Sequence, residues 1–230
     1  MVIGGLEKLS LSDFPGKLAA VVFTLGCNLR CRYCHNPCLV DPRQYTAPIL
    51  IEDVLRFLES RRGSLQGVVL SGGEPTIHAD VPAFLRDVRA MGYATKLDTN
   101  GTDPACLRAL VADGLLDYVA LDVKAPWRSY GRVAGVPVDA SAIQESLQVL
   151  KDGEVDYEVR TTWGEAILSL DELRDLAVDL GTVRRFILQA FRSSTTLDPA
   201  LRGCPAASAT SLRDVQRRLA SDGITALTRG

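Results

Sequence analysis

Short apolar segments of strand length recur along the chain, with amphipathic segments between them. The first, LAAVVFTL at residues 18–25, shows no alternation of apolar and polar positions. Such a run is typical of a strand buried on both faces, as in a parallel sheet. Five further strands are predicted at residues 67–70, 93–97, 118–121, 156–161 and 185–189.

The segments that follow these strands have helical periodicity. From residue 51 onward, Ile51, Val54 and Leu58 recur at helical spacing, and Gly63 is a stop signal. The other predicted helices span residues 80–91, 103–114, 138–151, 169–180 and 211–220. Six alternating strand–helix units predict an α/β fold with a parallel sheet and helices packed outside it.

The unusual polar motifs all lie at the carboxyl ends of predicted strands. CNLRCRYC, SGGEP, DTNG and DVK follow the first four strands, Arg160 lies near the end of the fifth, and Gln189 ends the sixth. Open α/β sheets and barrels bind their ligands at this end. The sequence therefore predicts a single ligand site formed by these loops, in an open sheet or a partial barrel.

Length and charge restrict the function further. With 230 residues, 47% hydrophobic and 23% charged, the chain is expected to form one globular domain. The net charge of -2 gives no general field that would attract nucleic acid or an anionic membrane, so neither is expected as a partner. The N-terminus has no signal-peptide pattern and no apolar run approaches the roughly 20 residues of a membrane helix, so we expect a cytoplasmic protein.

Three cysteines near the first strand have the spacing of a metal site. Cys27, Cys31 and Cys34 form C-x3-C-x2-C. Thiolates bind soft metals such as zinc or an iron–sulfur cluster. Zinc sites usually add a second pair of ligands, and the sequence offers none. A [4Fe–4S] cluster held by three cysteines would keep one iron open for a ligand, as a catalytic site requires.

Cys38 leaves a second interpretation open. It extends the pattern to C-x3-C-x2-C-x3-C, which is near the spacing of ferredoxins. If Cys38 were a fourth ligand, the cluster would be closed and would only transfer electrons. Cys106, within a predicted helix, is expected to pack as a small core residue, and Cys204 has no assigned role.

Taken one at a time, the other motifs are weak signals. Gly72 and Gly73 would let a ligand approach the backbone, and Glu74 could pair with a cationic group. Asp98 could hold a ribose hydroxyl, although DTNG alone is also typical of a turn. Lys124 and Arg160 together could clamp a carboxylate.

Together these motifs resemble the radical S-adenosylmethionine (SAM) superfamily. C-x3-C-x2-C with GGEP one strand–helix unit later is its signature, and Tyr33 fits between the last two cysteines. SLSDFPGK, CHNP, SGGEPT, LDTNG and LDVKAP are similar to the activating enzymes of glycyl radical enzymes, and most of all to the type that activates anaerobic ribonucleoside-triphosphate reductase. The resemblance runs from Ser10 to about Arg192 and implies a partial (β/α)6 TIM-like barrel.

The resemblance also implies a division into segments and an assignment of site residues. One radical SAM domain is expected over residues 1–230, with residues 1–17 as an N-terminal extension, 192–210 as a loop and 211–230 as a C-terminal helix and tail. The three cysteines would hold three irons and act as the catalytic ligands, with the amino and carboxylate groups of SAM on the fourth iron. The implied SAM contacts are Tyr33, Cys34, His35, Gly72, Gly73, Glu74, Pro75, Asp98, Thr99, Asn100, Asp122, Lys124, Arg160 and Gln189.

The activity implied is reductive cleavage of SAM and removal of a hydrogen atom from a glycine of a partner glycyl radical enzyme. A monovalent cation at Asp98 and Asp122 is implied by related activases. Residues 39–50 contain no further cysteines, so the electron is expected from an external donor such as flavodoxin or ferredoxin. Two alternatives remain: a radical SAM enzyme for a small molecule, of the 7-carboxy-7-deazaguanine synthase type, and an electron carrier with Cys38 as the fourth ligand.

Overall fold

The computed structural model describes residues 1–229, which divide into two compact units. The first contains Met1–Asn28, Cys38–Ala120 and Ala142–Asp156, and the second contains Leu29–Pro37, Leu121–Ser141 and the chain from Tyr157 onward. The strands are β1 Ile3–Ser10, β2 Ala19–Thr24, β3 Gly67–Gly72, β4 Ala94–Thr99, β5 Tyr118–Asp122, β6 Asp156–Trp163, β7 Phe186–Ala190 and β8 Leu227–Arg229. The helices are α1 Pro37–Val40, α2 Ile51–Glu59, α3 Val81–Ala90, α4 Pro104–Ala112, α5 Tyr130–Ala134, α6 Ala140–Asp152, α7 Leu170–Leu180 and α8 Ala209–Ser221.

In the first unit, β1 to β4 are hydrogen-bonded in chain order. β1 runs antiparallel to β2, and the following pairs are parallel. The predicted lack of alternation in β2 is confirmed, because five of its six residues are buried. Phe14 packs with Ala19, Val21, Val69 and Tyr118, so the turn before β2 closes over the amino end of the sheet.

The register of the first unit brings three motif-bearing strand ends together. Thr24 at the end of β2 pairs with Gly72 at the end of β3, and Leu70 of β3 pairs with Leu97 of β4. The loops that contain Cys27, SGGEP and DTNG therefore leave the same edge of this sheet.

In the second unit, β6, β7 and β8 form parallel pairs. Thr162 pairs with Gln189, and Gln189 pairs with Arg229, so Gln189 lies between neighbours near the end of β7. Arg229 also forms two hydrogen bonds with the buried carboxylate of Glu158, at 2.9 and 3.0 Å, which anchors the short strand β8.

The six predicted strands correspond to β2 to β7, and the α/β class is confirmed. Four short or irregular elements were not predicted: β1, α1, α5 and β8. No helix within residues 1–229 is long and apolar enough to cross a membrane. The single-domain organisation stays a prediction, and Gly230, at the end of the predicted tail, lies outside the described residues.

Candidate active site

Cys27 follows β2 through a glycine in the left-handed region. Gly26 has φ +92°, which favours glycine, and its amide donates a hydrogen bond to the carbonyl of Leu39 at 2.8 Å. The Cys27 side chain is half-buried, whereas Cys38, on α1 in the same unit, is exposed. The Gly26–Leu39 bond therefore joins the backbone that flanks these two cysteines.

Cys31 and Cys34 share one turn in the second unit. The amide of Cys34 donates to the carbonyl of Cys31 at 3.0 Å. Cys31 is buried, and burial raises the pKa of its thiol, while the positive charge of Lys124 acts in the opposite direction. Because the thiolate is the ligand form, Lys124 favours the state of Cys31 that binds metal.

The segment after β7 is tied to this turn. The amides of Leu197 and Asp198 donate to the carbonyls of Cys34 and Arg32, at 3.1 and 2.9 Å. The Arg32 side chain also donates to the Asp198 carboxylate at 2.7 Å. Leu197 and Asp198 of the predicted loop 192–210 therefore form a strap along the cysteine turn.

His35 adds a further contact between the predicted loop 192–210 and the cysteine turn. Its Nε2 lies 3.1 Å from the amide nitrogen and 3.0 Å from the carbonyl oxygen of Arg192. The imidazole ring stacks on Phe191, and burial lowers the pKa of His35. A neutral ring accepts the Arg192 amide proton through Nε2, which leaves Nδ1 as the protonated nitrogen.

The two glycines of SGGEP are required by close packing within the chain. A Cβ at Gly73 would lie 1.9 Å from the carbonyl oxygen of Gly26, and a Cβ at Gly72 would lie 2.2 Å from the amide nitrogen of Thr24. Gly72 also has φ +123°. The absence of side chains at both positions thus lets the GGEP backbone pack against the residues just before Cys27. This packing role of the two glycines was not predicted.

The Glu74 carboxylate is held by four donors of the chain itself. Its Oε1 accepts from the amide and hydroxyl of Thr76 and from the hydroxyl of Thr99, at 3.1, 2.6 and 2.7 Å. Its Oε2 accepts from the amide of Asn100 at 2.7 Å. Glu74 is 1% exposed, and this burial raises its pKa although the hydrogen bonds oppose the shift. The side chain therefore binds SGGEP to DTNG, and Pro75 begins the short turn Pro75–Ile77 behind it.

Asp98 and Asn100 are also held by neighbours within the first unit. Asp98 pairs with the ammonium of Lys96 at 2.5 Å and accepts from the Ser71 hydroxyl at 3.3 Å. Asn100 donates to the side-chain oxygen of Asn28 at 3.0 Å. Lys96 and Asn28 were not predicted; the signal for Lys96 was its position two residues before Asp98, on the same face of a strand.

In the second unit, two cationic side chains flank Asp122. Arg160 donates to Asp122 at 2.7 Å, and the Lys124 ammonium lies 3.7 Å from the other carboxylate oxygen. Burial acts to lower the pKa of Lys124, but electrostatic interactions with Tyr33, Asp122 and Cys31 raise it well above its ordinary value. Lys124 therefore stays cationic in a largely buried position.

Tyr33 and Gln189 complete the predicted residues of the second unit. Tyr33 is buried, and burial raises the pKa of its hydroxyl, so it remains neutral. Gln189 is half-buried near the end of β7. The two units thus hold separate parts of the predicted set: Cys27, Gly72–Pro75 and Asp98–Asn100 in the first, and Cys31, Tyr33–His35, Asp122, Lys124, Arg160 and Gln189 in the second.

The chemistry of these groups fits an iron–sulfur cluster and SAM. The thiols are the soft donors that clusters use, and Lys124 next to Cys31 offsets thiolate charge. Within residues 1–229, no three His, Cys, Asp or Glu side chains converge on one ion. A four-iron cluster does not need such convergence, because each thiolate binds a different iron. Lys124 and Arg160 are suited to a carboxylate ligand.

Comparison with known proteins identifies the family. The radical SAM superfamily model matches residues 21–163. A Methanocaldococcus jannaschii protein named as a glycyl-radical enzyme activating enzyme is 29% identical over 219 residues, which cover 93% of this chain and 90% of the relative. The pyruvate formate-lyase-activating enzyme of Clostridium pasteurianum is 36% identical over 134 residues, 54% of each chain.

Solved structures agree on the fold. Streptococcus suis SuiB bound to S-adenosylmethionine aligns with TM-score 0.68 at 17% identity, over 91% of this chain and 50% of SuiB. The structure of anSMEcpe with bound AdoMet aligns with TM-score 0.59 at 16% identity, over 90% of this chain and 61% of that chain. This chain thus spans about half of SuiB and of the Clostridium enzyme. The chain belongs to the radical SAM superfamily and has its α/β fold.

Proposed function

We propose that this protein is an activating enzyme that uses SAM to generate a glycyl radical on a partner enzyme. The observation that carries the proposal is the match along nearly the full length of both chains to the Methanocaldococcus relative, which bears the name of such an enzyme. The CHNP, DTNG and DVK motifs favour the same branch. As the partner we propose anaerobic ribonucleoside-triphosphate reductase, on the resemblance of the motifs.

Cys27, Cys31 and Cys34 would hold three irons of a [4Fe–4S] cluster, with SAM on the fourth. When bound and reduced, the cluster would supply the electron for cleavage of SAM into methionine and a 5′-deoxyadenosyl radical, and this radical would take a hydrogen atom from a glycine of the partner. The protein would orient SAM and the glycine and exclude competing reactions. Hydrogen-atom transfer requires no general acid or base.

The carboxylate of SAM would bind at Lys124 and Arg160. Both side chains are largely buried, and a charge-assisted hydrogen bond is strongest where water is excluded. The ammonium of SAM would contact the backbone of Gly72, Gly73, Glu74 and Pro75. The Glu74 carboxylate already has four donors, so we assign it the role of fixing that backbone rather than of binding the ammonium.

The nucleoside part of SAM would lie along the remaining residues. Asp98, Thr99 and Asn100 would line the ribose, Tyr33, Cys34 and His35 would flank the adenine, and Gln189 would contact SAM or the substrate. The resemblance also implied a monovalent cation at Asp98 and Asp122. Asp98 pairs with Lys96 and Asp122 pairs with Arg160, so both carboxylates already have cationic partners within the chain, which argues against a metal ion there.

The electron donor and location are part of the same proposal. An external one-electron donor such as flavodoxin or ferredoxin would reduce the cluster. We place the activating enzyme in the cytoplasm, where it would meet the proposed reductase.

The proposal is tested by anaerobic reconstitution with iron and sulfide, followed by addition of dithionite and SAM. We expect 5′-deoxyadenosine in chromatography, and with the reductase present we expect a glycyl radical in electron paramagnetic resonance. A Cys31→Ala variant is the control for cluster-independent cleavage. Cleavage of SAM without any glycyl radical on the reductase would contradict this partner. A reconstituted cluster that does not cleave SAM would contradict the enzyme itself.

A further inference from the structure

Lys96 is a lysine with no solvent exposure, which is rare unless its charge is compensated. The residue lies in β4 with 0% of its surface exposed. Its ammonium contacts the Asp98 carboxylate at 2.5 Å and lies 5.9 Å from the centre of the Tyr118 ring. The Asp98 carboxylate and the Tyr118 ring face thus both stabilise the buried ammonium.

The pairing follows from the strand. Residues two apart on β4 point to the same side of the sheet, so Lys96 and Asp98 are placed together by the backbone. The Ser71 hydroxyl approaches the second oxygen of Asp98 at 3.3 Å. Each carboxylate oxygen therefore has a donor supplied by the chain, and the negative charge is matched by a covalently tethered cation.

The second carboxylate expected at a cation site is also paired. Asp122 accepts from Arg160 at 2.7 Å, and Lys124 lies 3.7 Å away. Both carboxylates thus have cationic partners within the chain, so neither offers an uncompensated negative charge to a metal ion.

We propose that Lys96 is a built-in cation that takes the place of a monovalent metal ion at Asp98 and orients this carboxylate for the ribose. The assignment of Asp98 to SAM rests on the proposed function; the exclusion of the metal ion does not. Lys96 is a positioning residue in this account, since it acts through Asp98. The protein then binds neither sodium nor potassium at Asp98, and its affinity for SAM is independent of both.

The exclusion is tested on the native protein by sodium NMR. Sodium is added to the oxidised protein with its cluster, in tetramethylammonium buffer of constant ionic strength, and the linewidth of the sodium resonance is measured. Potassium is then added as a competitor. We expect no saturable broadening that potassium reverses. Reversible broadening that is lost in Asp98→Asn would overturn the proposal.

A charge-removal variant tests the role of Lys96 itself. In Lys96→Met, the Asp98 carboxylate loses its partner and should acquire a saturable, potassium-displaceable sodium site. Lys8→Met removes one charge from an exposed lysine of the same unit and should acquire none. A folded Lys96→Met protein without a sodium site would refute the substitution of lysine for metal. If Lys96→Met does not fold, the sodium titration of the native protein still tests the proposal.

A second measurement separates this proposal from the proposed function. SAM affinity of the native protein is compared in tetramethylammonium and in potassium at equal ionic strength. We expect a change of less than about twofold, whereas a metal site coupled to SAM would change it by about fivefold or more. Absence of SAM binding in both buffers would defeat the proposed function, and the sodium titration would still decide the role of Lys96.

Discussion

The carboxylate of Glu74 accepts a hydrogen bond from the backbone amide of Asn100, with 2.7 Å between oxygen and nitrogen. This bond links two strand-end motifs that lie 26 residues apart. It shows that the acidic residue of the glycine-rich motif serves the architecture of the site.

Replacement of Glu74 by Gln should destabilise the strand ends although the shape is retained. Four donors point at the carboxylate, and an amide NH2 in place of one oxygen would face a donor instead of accepting from it. A mispaired buried polar group costs about 1–3 kcal/mol. Thermal unfolding measures the loss, and Glu52→Gln on the exposed side of α2 serves as the control. Equal stability of the two variants would contradict the assigned role.

A methyl group at Gly73 should not be tolerated. The Cβ of Gly73→Ala would lie 1.9 Å from the backbone oxygen of Gly26, so one of the two loops must move. Overpacking of this kind costs about 1–3 kcal/mol or more. Gly5→Ala is the matched control, because the nearest atom to its added Cβ is a Phe23 side-chain carbon at 3.4 Å. Iron content after reconstitution should fall for Gly73→Ala alone; full retention would show that the loop adapts.

The strap after β7 should depend on backbone bonds more than on its ion pair. The Leu197 amide donates to Cys34, whereas the Arg32–Asp198 pair is partly exposed and contributes little. Leu197→Pro removes the amide donor, at a cost of about 0.5–1.5 kcal/mol, while Leu197→Ala keeps it. We expect faster loss of iron to a chelator from the Pro variant. Identical rates for both variants would exclude a role for the strap.

Cys38 should be dispensable for the cluster. Its side chain is exposed on α1, and the open-site interpretation leaves it without an iron. Cys38→Ala should retain the iron content and the SAM cleavage of the native protein, whereas Cys34→Ala should lose both. Loss of the cluster in Cys38→Ala would support the electron-carrier alternative.

The six strands β2 to β7 and the motifs at their ends could be predicted because buried parallel strands leave apolar runs that local sequence reveals. β1 was missed because IGGLEKLS mixes glycine, charge and apolar residues, and its pairing with β2 is a tertiary contact. β8 has only three residues and is held by β7 and by the Arg229–Glu158 ion pair.

The roles of individual site residues were harder to predict than their location. Glu74 looked like a ligand for a cation, because its donors Thr99 and Asn100 are distant in sequence. Lys96 was not predicted as a site residue, because only the folded chain shows that it is fully buried against Asp98. Sequence identifies the chemistry at the strand ends, and packing decides which groups are already satisfied.

Isotope labelling can follow the hydrogen atom that the proposed reaction moves from a glycine of the partner to 5′-deoxyadenosine. The proposed partner reductase is produced with deuterium on the α-carbon of its glycines, and the two proteins are mixed with dithionite and SAM. Mass spectrometry then measures deuterium in the 5′-deoxyadenosine. We expect labelled 5′-deoxyadenosine, formed together with the glycyl radical. Unlabelled 5′-deoxyadenosine from an active enzyme would contradict the proposed function.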